Sequence, residues 1–259
     1  MLRCLLAGLG SLGLAVGWFE AASGRQDQAV CGPTDVVFVI DDTGSMSGAI
    51  INVQREVVQL LDRIDDVSGG RFRLGLVTFK DSVDVHHDLD ARPTPALKKA
   101  VVRAAILGLF ASGGDEMAEA SDEALNTVIN RLRAAGRPQS GDFDGAFTGQ
   151  TNIIILITDN LPGGFDGSYM PGVDDLNAAT RAQEAAAAGI KISAIYVPTT
   201  PFPDLRVTTI MTEYAAITGG LFVVTGYKGA GTASAIAEIL EVCGSMVIAA
   251  LETRSRNPA

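Results

Sequence analysis

The chain has 259 residues, of which 47% are hydrophobic and 19% charged, and it carries a net charge of −10. This composition supplies enough apolar material for a sizeable core and argues against a disordered chain. The negative charge disfavours nucleic acid and anionic membrane surfaces as partners, and it favours cations. The length suits one large α/β domain with short additional segments.

The first 22 residues have the features of an export signal. Arg3 supplies a positive start, an apolar run covers 4–16, and small and polar residues follow, with cleavage expected after Gly17 or Ala22. The run is short for a membrane span, although an uncleaved anchor is an alternative. No later stretch reaches the length of a span. We therefore expect a secreted protein, extracellular or periplasmic, without a membrane span once the signal is removed.

Two cysteines remain after the predicted signal is removed. Cys31 precedes the first predicted strand, and Cys243 lies near the end of the last predicted helix. An even number of cysteines in an oxidising compartment favours a disulfide, and two buried free thiols are the alternative. Because these positions can lie close together in a doubly wound domain, we predict a Cys31–Cys243 bond.

Residues 23–33 are polar and lack periodicity, which predicts a linker. After this linker, apolar residues alternate between strand and helix spacing. Strands are predicted over 36–40, 72–79, 83–89, 152–158, 190–197 and 221–224. Helices are predicted from 46 until Gly69, over 95–107, and over about 117–135, 174–188, 207–217 and 233–242. The segments 136–150 and 161–173 are predicted as loops.

This alternation predicts a doubly wound α/β fold, with a mostly parallel sheet and helices on both faces. The segment 83–89 is predicted to be a short antiparallel partner strand. The segment 152–158 is the most apolar, which predicts a strand at the sheet centre, buried on both faces. Ligands of such sheets bind beyond the carboxyl ends of the strands.

The strongest chemical motif directly follows the first predicted strand. Asp41, Thr43 and Ser45 form a D-x-T-x-S pattern that places one carboxylate and two hydroxyls on a tight loop. Hard divalent cations prefer oxygen ligands, and Mg²⁺ prefers an octahedral array that retains some water. Gly44 allows the loop to turn sharply. The alternative is a helix N-cap with a spare serine.

Two further acidic loops are predicted at the same edge of the sheet. Asp115 follows two glycines before a predicted helix, and Asp159 ends the most apolar strand. Three acidic loops would repel one another unless a cation lay between them. Taken alone, Asp115 could stabilise a helix N-terminus and Asp159 could cap a turn. Together the loops predict one metal site, with the ligand set Asp41, Thr43, Ser45, Asp115 and Asp159.

The segments VVFVIDDTGSMSG, ASGGDEMAE and IIILITDN resemble, in this order, a von Willebrand factor type A domain with a metal-ion-dependent adhesion site (MIDAS). AAAAGIKISAIYV and AAITGGLFVVTG are similar to the family's last two strands and their preceding helices. The resemblance covers about 35–243, within a domain expected over 34–245 and followed by a tail over 246–259. It implies one antiparallel edge strand and one divalent ion at the upper rim. We expect Mg²⁺, with Ca²⁺ or Mn²⁺ as alternatives.

Residue by residue, the resemblance is close in two of the three loops. The first loop matches the family's first motif, with Thr43 in place of the commoner serine, and Asp159 matches its third-loop aspartate. Asp115 stands where the integrin-like branch of the family has threonine. A related branch has aspartate at this position, often with Pro-Glu two residues further on, and this chain differs from that pattern at 117–119. The extra carboxylate leaves a metal-loaded site net negative, which weakens its attraction for an acidic ligand.

The resemblance implies an exported binding or adhesion module whose metal docks an oxygen of an extracellular protein, peptide or glycan. We expect no enzymatic activity, because no general base or deep pocket is recognisable. Two alternatives stay open: a metal-dependent hydrolase that uses the same oxygen cluster, and a structural domain whose metal only neutralises the rim.

Overall fold

The computed structural model describes residues 31–89, 94–114 and 118–244. The predicted signal, the linker up to residue 30, Asp115 and the expected tail lie outside these residues. The strands are Thr34–Asp41 (β1), Phe72–Phe79 (β2), Val83–His87 (β3), Ala118–Glu119 (β4), Gln139–Ser140 (β5), Thr151–Thr158 (β6), Leu161–Pro162 (β7), Lys191–Tyr196 (β8) and Phe222–Val224 (β9). The helices are Ser47–Ser68 (α1), Pro95–Leu107 (α2), Ser121–Asn130 (α3), Asp174–Ala187 (α4), Leu205–Thr218 (α5) and Thr232–Glu241 (α6).

The main sheet has the strand order β5-β3-β2-β1-β6-β8-β9. β2, β1, β6, β8 and β9 are mutually parallel, whereas β3 pairs antiparallel to β2. The two-residue β5 extends this edge beyond β3. These pairings confirm the predicted α/β fold with an antiparallel strand at one edge, and they bring the carboxyl ends of β1 and β6 side by side.

The sheet is buried on both faces because its strands alternate between two apolar layers. In β1, Phe38 and Ile40 face the layer that includes α1 and α6, whereas Val37 and Val39 face the layer that includes α3, α4 and α5. Burial of apolar surface stabilises the folded state by roughly 25 cal/mol per Å². Because this sheet is covered on both sides, it is a stable support for the loops at its edge.

Two predicted positions differ from the structure. The middle strand is β1, and β6 lies next to it, although residues 153–158 are buried as expected. The helix predicted over about 117–135 covers only Ser121–Asn130. Its start is delayed because Ala118–Glu119 pairs with Leu161–Pro162 in a small separate sheet. It ends early because Arg131 adopts a left-handed conformation, with φ 56°.

The predicted Cys31–Cys243 disulfide is present, and it closes a sequence separation of 212 residues. It joins the segment before β1 to the turn after α6, at the end of the sheet opposite the acidic loops. In the described part of the chain, no helix has both the length and the apolar character needed to cross a membrane.

Candidate metal centre

The first loop places three of the predicted ligands in one chain of oxygen atoms. Asp41 is the last residue of β1 and is fully buried. Its Oδ1 atom accepts hydrogen bonds from the backbone N–H of Thr43 at 3.0 Å and from Thr43 Oγ1 at 2.6 Å. Thr43 Oγ1 in turn lies 3.0 Å from Ser45 Oγ. The loop therefore presents one carboxylate and two hydroxyls at the edge of the sheet.

The second loop is bound to the first through its backbone. Gly44 N–H donates to the carbonyl of Gly113 at 2.9 Å, and Ser112 N–H donates to the carbonyl of Asp42 at 3.0 Å. Gly114 has φ +72°, and a Cβ atom there would lie 2.3 Å from Thr43 Cγ2. Only glycine permits this close approach. The residues just before Asp115 thus lie against the first loop.

Asp115 itself lies outside the described residues, so its role as a ligand stays a prediction. One of the alternatives for it is weakened by the observed helix. Helix α3 begins at Ser121, with Ala120 at its N-cap position, and not near residue 117 as the sequence predicted. Asp115 is therefore not the N-cap of this helix.

The third loop contributes a buried carboxylate oxygen. Asp159 directly follows β6, and among the described residues its Oδ1 atom is buried without a hydrogen-bond partner. A buried acceptor left unpaired costs free energy, on the order of 1–3 kcal/mol or more for a charged group. A cation bound beside this oxygen would remove that cost, so the donor set fits a hard divalent metal.

The electrostatics of Asp41 agree with this fit. Burial raises the pKa of its carboxyl group, and the neighbouring Asp159 carboxylate raises it further. Hydrogen bonds from Thr43 and Thr158 lower it, and the net result is a pKa of about 7. Two carboxylates this close in a desolvated edge repel each other when both are ionised. A divalent ion between them would reverse the balance and favour both ionised forms.

Two residues that the sequence analysis did not assign belong to this region. Thr158, the last residue of β6, donates from Oγ1 to Asp41 Oδ2 at 2.7 Å. Glu119 is 1% exposed, and its Oε1 atom lies 3.0 Å from the position of a Cβ atom on Gly114. Thr158 could have been recognised because it directly precedes Asp159. Glu119 could have been recognised because it lies in the segment 117–119, where this chain differs from the related branch of the family.

A groove of about 400 Å³ opens beside the oxygen cluster. Its lining combines loop residues of the candidate site with the segment between β8 and α5, and it comprises Ser45, Gly114, Glu119, Asp159, Asn160, Tyr196, Thr199, Thr200, Phe202, Asp204 and Val207. The candidate metal site is therefore bordered by a surface that could accept part of a ligand.

Within residues 31–89, 94–114 and 118–244, no three His, Cys, Asp or Glu side chains form a group that could hold a metal ion. The described part of the cluster consists of the carboxylates of Asp41 and Asp159 and the hydroxyls of Thr43 and Ser45. Hydroxyls are suitable ligands for Mg²⁺ or Ca²⁺. In the predicted ligand set, Asp115 is the further carboxylate.

The fold and this edge define a doubly wound α/β domain with an oxygen-rich cluster at the carboxyl ends of its parallel strands. The model of the von Willebrand factor type A domain family matches residues 35–218, and the chain belongs to this family. None of the curated proteins matches the chain in sequence.

Solved structures show the same fold at low sequence identity. Proximal thread matrix protein 1 from the mussel byssus aligns with a TM-score of 0.55 and 16% identity over 83% of this chain and 47% of its own. The vWF domain of the type V pili tip protein Mfa5 from Porphyromonas gingivalis aligns with a TM-score of 0.54 and 15% identity over 81% of this chain and 94% of its own.

A von Willebrand factor type A protein from Catenulispora acidiphila aligns with a TM-score of 0.51 and 15% identity over 82% of this chain and 43% of its own. This chain thus spans less than half the length of the mussel and Catenulispora chains. At these identities the structures show a shared fold, and they do not carry over a partner or an activity.

Proposed function

We propose that the chain is an exported, non-enzymatic binding module that docks a protein, peptide or glycan through one divalent ion at the edge of its sheet. The ion is Mg²⁺, with Ca²⁺ or Mn²⁺ as alternatives. The observation that supports this most directly is the buried Oδ1 atom of Asp159, which has no hydrogen-bond partner among the described residues and lies in the electrostatic field of Asp41.

The residues of the cluster divide the work of holding such an ion. Asp41 and Asp159 supply negative charge, and Thr43 and Ser45 supply neutral oxygens from a tight loop. Thr158 orients the Asp41 carboxylate from the neighbouring strand. Asp115 is proposed as the further carboxylate. When bound, the ion supplies an open coordination position that an oxygen of the partner can fill.

The lining of the groove favours binding over hydrolysis. Metal-dependent hydrolases commonly place a histidine or another positioned general base beside the metal and enclose the substrate. The described residues that line this groove include no histidine and no lysine, and the groove lies at the surface of the domain. The cluster therefore resembles a docking point more than a hydrolytic centre.

The similar structures support this proposal at the level of context. One structure of the mussel byssus protein, with a TM-score of 0.54 and 17% identity, has a zinc-occupied MIDAS motif, and Mfa5 is a pili tip protein. Both contexts lie outside the cell. The Cys31–Cys243 disulfide, typical of oxidising compartments, agrees with export of this chain.

Titration calorimetry on secreted protein with Mg²⁺, Mn²⁺ and Ca²⁺ tests the metal site. We expect one ion to bind per chain, and Asp41→Ala to abolish the heat of binding while the circular dichroism spectrum stays that of a folded domain. Glu213→Gln is the matched control, because it also removes one negative charge, at an exposed position on α5. This variant should bind metal as the wild type does. Absence of heat with all three ions at millimolar concentration would refute the site.

A second experiment separates docking from the alternatives. Wild-type protein and Asp41→Ala are used to capture partners from an extracellular fraction, with Mg²⁺ or with EDTA. A docking module predicts a partner that is lost both in EDTA and in the variant. Metal binding without any metal-dependent partner would favour a structural ion, and metal-dependent turnover of generic esters or phosphates would favour a hydrolase.

A further inference from the structure

Tyr196 brings a phenol hydroxyl to the groove beside the candidate metal centre. It is the last residue of β8, it lines the groove, and only 2% of its surface is exposed. Its hydroxyl oxygen accepts a hydrogen bond of 2.8 Å from the backbone N–H of Asp204, the N-cap residue of α5. The hydroxyl group is therefore held in place between the end of β8 and the start of α5.

The hydrogen of this hydroxyl group is not used within the described part of the chain. A phenol has one O–H donor in addition to its acceptor lone pairs, and the Asp204 N–H occupies only the acceptor side. Among the described residues, no atom accepts a hydrogen bond from the Tyr196 hydroxyl. A buried donor without an acceptor costs free energy, so this group favours a ligand that brings an acceptor into the groove.

The charges at this edge of the sheet favour a neutral acceptor over a carboxylate. The ionised carboxylates of Asp41 and Asp159 balance the two charges of a bound divalent ion, so the loaded centre has no surplus positive charge to attract an acid. Tyr196 is itself uncharged, because burial raises the pKa of its hydroxyl above the ordinary value of 10.0. Among side chains, the carboxamides of asparagine and glutamine supply a neutral carbonyl oxygen.

The loop after β8 adds an apolar surface to the same groove. Phe202 lines the groove and is 83% exposed. Thr200 Oγ1 donates to the carbonyl of Phe202 at 2.6 Å, which orients the loop. An exposed ring can cover the methylene groups of a ligand side chain. The groove thus combines apolar surface with a fixed hydrogen-bond donor, and such a combination selects ligands by their polar groups.

We propose that Tyr196 determines specificity by donating a hydrogen bond to the carbonyl oxygen of an asparagine or glutamine side chain of a protein partner. The methylene stem packs on Phe202, and the carboxamide lies in the groove beside the metal ion. A side chain of the same shape without the carbonyl leaves the phenol donor unpaired and binds more weakly. This inference rests on the proposed docking function and narrows it, because it makes the partner a protein with an exposed carboxamide rather than a glycan.

Three capped pentapeptides, acetyl-Gly-Ser-X-Ser-Gly-amide with X as glutamine, norleucine or glutamate, probe the groove, and methyl glucoside represents a glycan. Each is titrated to millimolar concentration into ¹⁵N-labelled protein, with and without saturating Mg²⁺, and the amide shifts are followed by NMR. We expect the glutamine peptide to shift the amides of Thr199, Thr200 and Phe202. It should bind about fivefold more tightly than the norleucine peptide, as expected for one net hydrogen bond, and more tightly than the glutamate peptide or the glucoside.

Variants locate the preference at one hydroxyl group. Tyr196→Phe keeps the ring and removes the donor, so the ratio of the glutamine and norleucine affinities should fall from about five to about one. This ratio is the readout, because a shift of the loop through loss of the Asp204 contact would affect both peptides alike. Phe202→Ala should weaken both peptides together and leave their ratio unchanged.

Tyr214→Phe is the matched control, since it makes the same change at another buried tyrosine. Tyr214 lies on α5 outside the groove lining, and its hydroxyl has no hydrogen-bond partner among the described residues. This variant should bind both peptides as the wild type does. Loss of the glutamine preference in Tyr214→Phe would show that the preference does not come from a donor in the groove.

Several other outcomes would overturn the inference. Equal affinity for the glutamine and norleucine peptides, a preference that survives in Tyr196→Phe, or no binding of any peptide would each contradict it. Tighter binding of the glutamate peptide or of the glucoside would show an acidic or a glycan ligand instead. Calorimetry with Mg²⁺ on the same samples separates the two proposals. Glutamine preference without metal binding would refute the metal site alone, and metal binding without this preference would refute the present inference alone.

Discussion

Thr158 donates a hydrogen bond of 2.7 Å to the Oδ2 atom of Asp41, joining the carboxyl ends of β6 and β1 at the candidate metal centre. The other oxygen of the same carboxylate is held by Thr43 within its own loop. Asp41 is therefore oriented by two different segments of the chain. A carboxylate held from both sides keeps its position when an ion arrives, so little rearrangement opposes binding.

Loss of the Thr158 hydroxyl should weaken the metal site. Thr158→Val keeps the shape of the side chain and removes the donor to Asp41, so we expect a dissociation constant for Mg²⁺ about tenfold higher by calorimetry. Thr151→Val is the matched control, because Thr151 lies at the other end of the same strand and its hydroxyl binds the Cys31 carbonyl. Equal metal affinity of Thr158→Val and wild type would contradict the positioning role.

The close approach of the first two loops makes a specific prediction for adjacent glycines. In Gly114→Ala the new Cβ atom would lie 2.3 Å from Thr43 Cγ2, so the loops must separate. We expect this variant to lose metal affinity by about tenfold and stability by about 1–3 kcal/mol.

Gly113→Ala serves as its control. Gly113 also has positive φ, +68°, but nothing lies within 4 Å of a Cβ atom there. It should lose only about 1 kcal/mol of stability through backbone strain and keep its metal affinity. Urea unfolding together with calorimetry measures both quantities, and the same metal affinity in the two variants would exclude a role for the contact with Thr43.

Asp122 should make stability depend on pH. Burial raises the pKa of its carboxyl group, and the adjacent Glu123 raises it further, to about 6, from an ordinary 3.8. The folded state thus holds this proton more tightly than the unfolded chain. The free energy of unfolding contributed by this group should therefore fall as pH rises from about 4 to about 6, and stay low above that.

Asp122→Asn tests this dependence, since an amide oxygen can still accept the hydrogen bond of 3.1 Å from Gly164 N–H. We expect the variant to be more stable than wild type at pH 7.5, by on the order of 2–3 kcal/mol at most, and to approach it near pH 4.5. Urea unfolding at both pH values gives the comparison. A stability difference that is the same at both would show that this carboxyl group does not titrate between them.

The disulfide should contribute much of the stability of the domain. It closes a separation of 212 residues, for which the chain-entropy model gives roughly 5 kcal/mol as an upper bound. We expect the double variant Cys31→Ser/Cys243→Ser to unfold at a clearly lower urea concentration than wild type. Reduction should destabilise the wild type but not the double variant. Peptide mapping of secreted protein under non-reducing conditions identifies the bond directly, and two free thiols would rule it out.

Asp115→Thr tests the predicted further carboxylate of the site. Removal of one charge at about 4 Å is worth on the order of 1–4 kcal/mol, depending on the effective dielectric constant. We expect weaker binding of free Mg²⁺ and, in the loaded protein, tighter binding of a peptide with an exposed aspartate. The two effects oppose each other because negative charge attracts the ion and repels an acidic ligand. Equal metal dissociation constants for variant and wild type would contradict the charge argument.

Much of this protein is determined locally by its sequence. Apolar residues at strand and helix spacing predicted the alternating order, and α2 begins and ends where its pattern does, at Pro95 and Leu107. The motif at Asp41, Thr43 and Ser45 was recognisable because all three residues share one loop directly after a strand. Local spacing is sufficient wherever the interacting groups are near neighbours in the chain.

Other features were decided only by tertiary contacts. Ala118–Glu119 is extended rather than helical because it pairs with Leu161–Pro162, more than forty residues away in sequence, and this pairing overrides helical spacing. The same contact buries Glu119 beside Gly114, where it lines the groove. The hydrogen bond between Thr158 and Asp41 likewise depends on β6 lying next to β1. Sequence periodicity identifies each element, but the free energy of packing selects which elements are neighbours, and that selection brings separate loops to one edge of the sheet.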